Sequence, residues 1–445
     1  MLKRSVRLQK LWAGTLLPLL VAAPHAQAWG LQPKLPEGEV TPQVSPVPPA
    51  SAVTLTRAEA IRLALEQSPV LQAAGNRIAA AQGNLESARA RPPLQADPGV
   101  SLSGDSVSAV LTQVFETSGR RGPRTGVARN QFVAAEREGD VTRLTLVRDV
   151  SRAYYDLAQS QQSVTLFEEV VGIVRRTRDS VAKQVEVGTI PAQDLIKAET
   201  ELARAESEVT RAQAQVQTNR VLLNTLLGRT AEAPITASEP LMSAPVTADQ
   251  AALVAQAVSR RPEIALAEAR IAAARDSVRL QRADYRPDLG VSLLQNTSIN
   301  GGQFLNPRGT GVGVSLAFPL FDTGRIRGRV REAEALVREQ ESLRAQAGLD
   351  VLRDVGSAYA QVKATESLVT RYDRDILPRA KNLLEIAQFG YDRGGTTLLE
   401  YLEAQRTYRT TRAEYLTVLG DNARARAELE RATGEGLPVA AGGTQ

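Results

Sequence analysis

Carboxylates are the acid–base groups that this chain carries in number, and they have few companions. Among its 445 residues are 49 Asp and Glu, a single histidine, His25, and no cysteine. Imidazoles and thiols build most nucleophilic hydrolase sites and the usual zinc and copper centres. Downstream of His25 a Ser-His-Asp or Cys-His site, a soft-metal site and a disulfide are therefore all excluded. Such a composition leaves open carboxylate-only catalysis, as in glycoside hydrolysis, or carboxylates used as fixed charge. Aromatic residues make up only 4% of the chain, with no aromatic-rich cleft signal, and the acidic residues mostly recur at helix-surface spacing. Neither an enzyme nor a cofactor is expected.

The elements that must position these carboxylates are written twice. Arg77-Ile78-Ala79-Ala80-Ala81 returns as Arg270-Ile271-Ala272-Ala273-Ala274, an offset of 270 − 77 = 193, and Pro69 returns as Pro262. Ala153-Tyr154 returns as Ala358-Tyr359 at 358 − 153 = 205. Gly188, Asp194, Ala198 and Gly228 match Gly394, Glu400, Ala404 and Gly434 at 394 − 188 = 206. The step in offset falls among strand-like segments, which predicts a longer hairpin in the second copy. Each copy reads as helix, β-hairpin, long helix, glycine turn, helix, over 53–228 and 246–434. Thr54 or Thr56 would cap the first helix, and Val246-Thr247 marks the start of the second copy. The connector 229–245 contains Pro234, Pro240 and Pro245 and reads as a loop. Two helical hairpins with small strand inserts bury little core alone, so partners are expected.

Two periodicities separate the parts of each copy. Val150, Tyr154, Leu157, Gln161, Val164, Phe167, Val171, Val174, Arg178, Val181 and Val185 step by four and three, a coiled-coil seam. Val355, Tyr359, Val362, Glu366, Val369, Asp373 and Ile376 repeat the steps, with Glu366 at the place of Gln161. Val312, Val314, Leu316, Phe318 and Leu320 instead alternate with small or polar residues, as a tilted barrel strand does between lipid and water. A half-buried strand in a soluble sheet would show the same alternation. Val291–Gln295, Val100–Ser103 and Val107–Phe115 are its less regular counterparts. Four strands cannot close a barrel, so a membrane role requires several copies.

The N-terminal residues read as an export signal over 1–28. Lys3, Arg4, Arg7 and Lys10 precede the apolar run Leu11 to Ala23 and the small-x-small site Ala26-Gln27-Ala28. Its removal lowers the formal charge to 5 − 4 = +1, which gives no reason to expect nucleic acid. No apolar run after the signal suits a membrane-spanning helix, so entry into a bilayer would be by strands. Residues 29–52 read as a proline-rich arm and 435–445 as a flexible tail.

With these features the chain resembles the TolC-type outer-membrane factors of tripartite efflux and type I secretion systems, from about Val53 to Gly434 and in both copies. The resemblance implies a mainly α protein with a membrane β part. Three protomers would each give four strands to one outer-membrane barrel, and their paired helices would form a tube across the periplasm. The implied role is a passive exit duct in the cell outer membrane, with a periplasmic adaptor (membrane fusion) protein and an inner-membrane pump of the RND type as partners. Gly188-Thr189-Ile190-Pro191-Ala192-Gln193-Asp194-Leu195 and Gly394-Gly395-Thr396-Thr397-Leu398-Leu399-Glu400-Tyr401 are similar to the family's periplasmic tip turns. By that likeness Gly188, Thr189, Gly394, Gly395 and Thr396 would meet the adaptor. Glu400 and Glu403 would ring the pore constriction, favouring cations and raising some carboxyl pKa values by mutual repulsion. Tyr391 and Asp194 would latch neighbouring hairpins. Thr396 stands where the family places a gating arginine, which puts a second latch in doubt.

Gln113-Val114-Phe115-Glu116-Thr117-Ser118-Gly119-Arg120-Arg121-Gly122-Pro123-Arg124 is similar to the strand-to-helix junction of the cobalt-zinc-cadmium branch, although Val114 and Ser118 depart from its usual residues. Metal-cation or drug efflux is the implied traffic. A type I secretion channel and a periplasmic coiled-coil adaptor or scaffold remain as alternatives.

Overall fold

The computed structural model describes residues 53–100, 106–243, 245–300, 303–317 and 323–434. The expected signal, arm and tail, part of the Val100–Ser103 strand, and Phe318 and Leu320 lie outside the described residues.

The first copy begins with strand β1 (Val53–Leu55) and helices α1 (Arg57–Gln67) and α2 (Pro69–Arg89). Thr56 is the cap: its hydroxyl accepts the Glu59 N–H, and the Glu59 carboxylate accepts the Thr56 N–H at 2.8 Å. This capping box settles the choice between Thr54 and Thr56. Strands β2 (Gln95–Val100) and β3 (Ser106–Phe115) follow, then α3 (Arg121–Glu186) and α4 (Ala192–Leu226). With 66 residues, α3 is about 100 Å long at 1.5 Å per residue. The connector is not only loop. It contains β4 (Ile235–Ala237), which pairs in parallel with β1.

The second copy repeats the plan with α5 (Gln250–Arg260), α6 (Pro262–Ala283), β5 (Asp288–Asn300), β6 (Gln303–Ala317) and α7 (Arg325–Arg371). A π-helical turn, Tyr372–Ile376, leads to α8 (Leu377–Asp392), and α9 (Leu398–Thr433) completes it. In the second copy Asp249 supplies the helix cap by accepting the Ala251 N–H, three residues after Val246 just as Thr56 follows Val53. The π turn sits directly before Pro378. Proline has no N–H for the i−4 carbonyl and crowds it, so the ladder widens and Leu377 bonds back to Tyr372, five residues away. In the first copy the position 378 − 206 = 172 is glycine, and α3 runs through unbroken.

The seam expected from the four-three spacing is the packed face of α3. Val150, Tyr154, Leu157, Val174 and Val181 are all buried. The polar interruption has a purpose in both copies: Gln161 Oε1 accepts the Ala237 N–H at 3.1 Å, and Glu366 Oε1 accepts the Val246 N–H at 2.6 Å. Each holds down chain that would otherwise leave a backbone donor unpaired. Tyr154 does the same at one end of the connector, donating to the Leu55 carbonyl and accepting from Glu239 N–H, both at 3.1 Å.

One ion cluster, centred on a buried arginine, ties the second copy together. Arg261, at the α5–α6 corner, is 4% exposed. It donates to Glu263 and, at 3.0 Å, to Asp354 on α7. Asp354 also receives Arg353 at 2.9 Å and Arg431 of α9 at 3.4 Å. Burial works against the Asp354 charge, but the bonds from Arg353 and Arg261 and the nearby Arg431 outweigh it and hold the carboxyl below its usual range.

The four long strands form one antiparallel sheet in the order β2-β3-β5-β6. The second hairpin is longer, as the offsets implied, and β6 begins at Gln303 rather than near Val312. Pro307 and Gly309 mask its first half in the sequence, and the register shifts around Thr297 opposite them absorb the irregularity. Leu111, Leu293 and Val312 lie in one cross-strand row, and Phe115, Leu289 and Leu316 in another. These rows share a face, and Val312, Val314 and Leu316 are 75%, 69% and 60% exposed on it. The opposite face is mostly small or polar, with Thr112, Gly290, Ser292, Gly311, Gly313 and Ser315. No helix among the described residues is long and apolar enough to cross a membrane.

Candidate functional site at the paired helical tips

The two glycine turns fall at matching ends of the α3–α4 and α8–α9 hairpins. Gly188 and Gly394 both adopt positive φ, 73° and 76°. At the first, Gly188 N–H reaches Val185 O and Thr189 N–H reaches Gln184 O; at the second, Gly394 N–H reaches Tyr391 O and Gly395 N–H reaches Gly390 O. A left-handed residue that closes a helix this way is most cheaply glycine. Pro191 then starts α4 and Thr397 caps α9. Thr396, at the place of the expected arginine, bonds Gly390 O through its N–H and lies so close that Gly390 has no room for a Cβ.

The hairpins pack on one another through a small core. Val181, Ala198, Ala387, Leu398, Tyr401, Leu402 and Ala404 are buried there, with Tyr391, Leu195 and Ile190 at its edge. Tyr391 stacks on Tyr401, with ring centroids 5.2 Å apart and planes 9° from parallel. Outside this core Arg406 of α9 donates to Glu201 of α4 at 2.6 Å, and Gln405 donates to Thr177 of α3 at 3.3 Å.

The expected pair Tyr391 and Asp194 are neighbours without a direct bond. Tyr391 Oη donates to Gln184 Oε1 on α3 at 3.3 Å, while the Asp194 carboxylate takes Lys197 at 2.9 Å. Burial raises the Tyr391 pKa, and the Asp194 charge adds to the rise. Gln184 and Lys197 were missed in the sequence because neither side chain is distinctive and Gln184 lies 207 residues from Tyr391. Arg393 was also passed over. It precedes the tip glycine, with its guanidinium 3.7 Å from the centroid of the exposed Phe389 ring.

Glu400 and Glu403 are exposed on the first turns of α9. Glu400 serves its own helix start. It accepts the Thr397 N–H at 2.9 Å and the Thr397 hydroxyl at 3.0 Å, while Thr397 Oγ1 accepts the Glu400 N–H. Within one copy these bonds lower its pKa, whereas the like-charge crowding expected at a constriction would arise only between copies. A lowered carboxyl pKa means that the charged cap supports the helix start above the ordinary value of 4.5, and that this support fades as pH falls through the depressed value. Hydrogen exchange of the 394–402 segment, corrected for its intrinsic pH dependence, is therefore expected to accelerate only below about pH 4.5. Glu400→Gln should remove that step. A step that survives in the variant refutes the cap as its source.

At the opposite end, the strand-to-helix junctions are rich in arginine. Arg121 and Arg124 close the C-terminus of α2 by donating to the carbonyls of Arg89, Ala88 and Ala90, and Arg124 also pairs with Glu116. Arg120 lies 3.0 Å from Asp284 and 3.9 Å from Asp288. The candidate motif around Gly119 is thus a structural corner. No cluster of three or more potential acidic, His or Cys metal ligands occurs among the described residues.

A duplicated array of long helices ending in paired tips, joined to an antiparallel sheet with one exposed apolar face, defines a component of a membrane conduit. The chain belongs to the outer membrane efflux protein family, which it matches over residues 60–229 and 253–435, and it resides in the outer membrane. It is 26% identical over 408 residues to the cobalt-zinc-cadmium resistance protein CzcC of Cupriavidus metallidurans, covering 88% of this chain and 93% of that one. A membrane protein from Pseudomonas aeruginosa shares the fold with a TM-score of 0.73 at 22% identity, over 86% of this chain and 93% of that one. The outer-membrane channel OprN superposes with a TM-score of 0.72 at 21% identity, over 85% and 90%. The family is one of transport proteins, acting in efflux across the outer membrane.

Proposed function

We propose that three copies of this chain form the exit duct of a tripartite efflux system, opening at the paired tips and conducting passively. The observation that carries this reading is the sheet. Among the described residues its edge strands β2 and β6 are left open while its apolar face is exposed, and open edges are not tolerated in lipid. Three copies joined edge to edge would close 3 × 4 = 12 strands, an even number suited to an outer-membrane barrel. The partners would be a periplasmic adaptor at Gly188, Thr189, Gly394, Gly395 and Thr396, and an inner-membrane pump that supplies energy. The likeness to CzcC supports divalent metal cations as cargo. A duct with no His or Cys downstream of His25 suits that traffic, since it should not retain what it passes.

The test is separation of inner and outer membranes, cross-linking of the detergent extract, and recording from the purified protein in planar bilayers. A trimer in the outer-membrane fraction that conducts ions supports the duct; a soluble periplasmic monomer would turn the reading to an adaptor or scaffold. In the same recordings Glu400→Gln with Glu403→Gln is expected to lower the cation-to-anion permeability ratio several-fold, because six carboxylates would leave the constriction. An unchanged ratio removes the constriction from these two residues.

A further inference from the structure

Each of the four places where the chain passes between helix and sheet carries an exposed arginine whose charge no carboxylate neutralises among the described residues. Arg89 and Arg91 stand at the α2–β2 passage, Arg121 at β3–α3, Arg286 at α6–β5 and Arg325 at β6–α7. Arg121 is bonded, but only to the Arg89 carbonyl at 2.8 Å, so its charge stays uncompensated. The described carboxylates at this level are already committed. Glu116 pairs with Arg124, Asp284 with Arg120 and Arg329, and Asp288 with Arg120.

The strand ends at these passages are in register. Phe115 faces Leu289, and Asp288 faces Ala317, so the arginines follow the helix-side margin of the exposed apolar face. Phe115 and Tyr285, 49% and 43% exposed, mark the same margin. Apolar strands, then aromatic rings, then cations is the order met on leaving a hydrocarbon layer through its headgroups. All five cations are arginines, whose planar fork suits a phosphate diester better than a lysine ammonium does.

We propose that these arginines form a binding girdle for the phosphates of anionic phospholipids in the periplasm-facing leaflet of the outer membrane. The girdle rests on the reading of the sheet as part of a membrane barrel, since otherwise no lipid lies beside it. An apolar band alone does not discriminate between headgroups. The arginines add that selectivity, and they fix the height at which the barrel sits.

The experiment is native mass spectrometry of the full mature protein, purified in detergent and exposed to an equal mixture of phosphatidylglycerol and phosphatidylcholine. A basic residue at a lipid surface contributes roughly a fivefold preference, so bound lipid should be enriched at least about tenfold in phosphatidylglycerol, less so at high salt. Arg89→Gln, Arg91→Gln, Arg286→Gln and Arg325→Gln together should abolish the enrichment while phosphatidylcholine adducts persist. Equal adducts of the two lipids on the wild-type protein, or undiminished enrichment in the variant, would overturn the girdle and leave the barrel standing. Failure of the wild-type protein to bind either lipid would overturn the barrel and the girdle together. Should the fourfold variant not assemble, Arg286→Gln with Arg325→Gln is expected to lose a measurable part of the enrichment, and no loss in that pair also overturns the proposal.

Discussion

Asp354→Ala is expected to cost about 2–3 kcal/mol of stability, less than the loss from a fully buried pair, because Arg353 is exposed and Arg261 keeps Glu263. Three guanidinium groups converge on this carboxylate, and one of them, Arg261, is 4% exposed at the corner between α5 and α6. Without Asp354 that cation keeps Glu263 but loses its tie to α7, and Arg431 of α9 loses the same anchor. The variant should unfold at clearly lower denaturant concentration than wild type. Arg261→Met combined with Asp354→Leu should recover part of the loss, because it exchanges the one fully buried cation and its partner for apolar contact and leaves only Glu263 and Arg431, which are partly exposed. Since the Asp354 pKa is lowered by folding, its stabilisation is present above the unfolded value of 3.8 and disappears as pH falls through the lower, folded value. Acid unfolding of the wild type should therefore steepen below that point, whereas the double variant should lack this contribution. Equal denaturation midpoints for Asp354→Ala and wild type would show that the cluster is not a principal support.

Tyr391→Ala is expected to produce the largest change in conductance. The substitution removes a stacked contact with Tyr401 and a hydrogen bond to Gln184, each about 0.5–1.5 kcal/mol, or roughly 1–3 kcal/mol per protomer. If three tips open in concert the contributions add, and the open population rises at least a hundredfold. Tyr391→Phe keeps the stack and loses the bond, so its increase should be smaller. Asp194→Ala should change little, since that carboxylate is bonded to Lys197 and acts on Tyr391 only through its charge. Planar-bilayer recording separates the three variants. A Tyr391→Ala channel no more conductive than wild type would sink the latch.

What the sequence disclosed and what it withheld follow from distance along the chain. The α3 seam was legible because steps of four and three record which face is buried, and even the polar pair Gln161 and Glu366 stood out by recurring. Both tip turns were legible because a left-handed helix end selects glycine at a fixed place. The β4 strand escaped notice: three residues carry no periodicity, and their partner β1 lies 182 positions away. The hydrogen bond from Tyr391 to Gln184 was hidden in the same way. Glu400 is a different case. Thr397 and Glu400 have the spacing of a capping box, a local signal that the sequence carries alongside the likeness to a pore carboxylate. The arginine corner at Gly119 was visible as composition, but only folding revealed that Arg121 and Arg124 close α2.

The unbroken α3 and the interrupted helix opposite it give the two copies different mechanical characters. In the proposed trimer six hairpins would stand around one axis like staves, alternately stiff and hinged. A stave with a π turn can bend near Tyr372 without losing its whole ladder, while its 66-residue neighbour resists bending along its length. Opening would then proceed with three moving staves and three fixed ones, so the aperture would widen with triangular rather than hexagonal symmetry. Its greatest width would be set by the members that never move. Duplication followed by one proline would thus have turned a uniform sleeve into a frame with shutters.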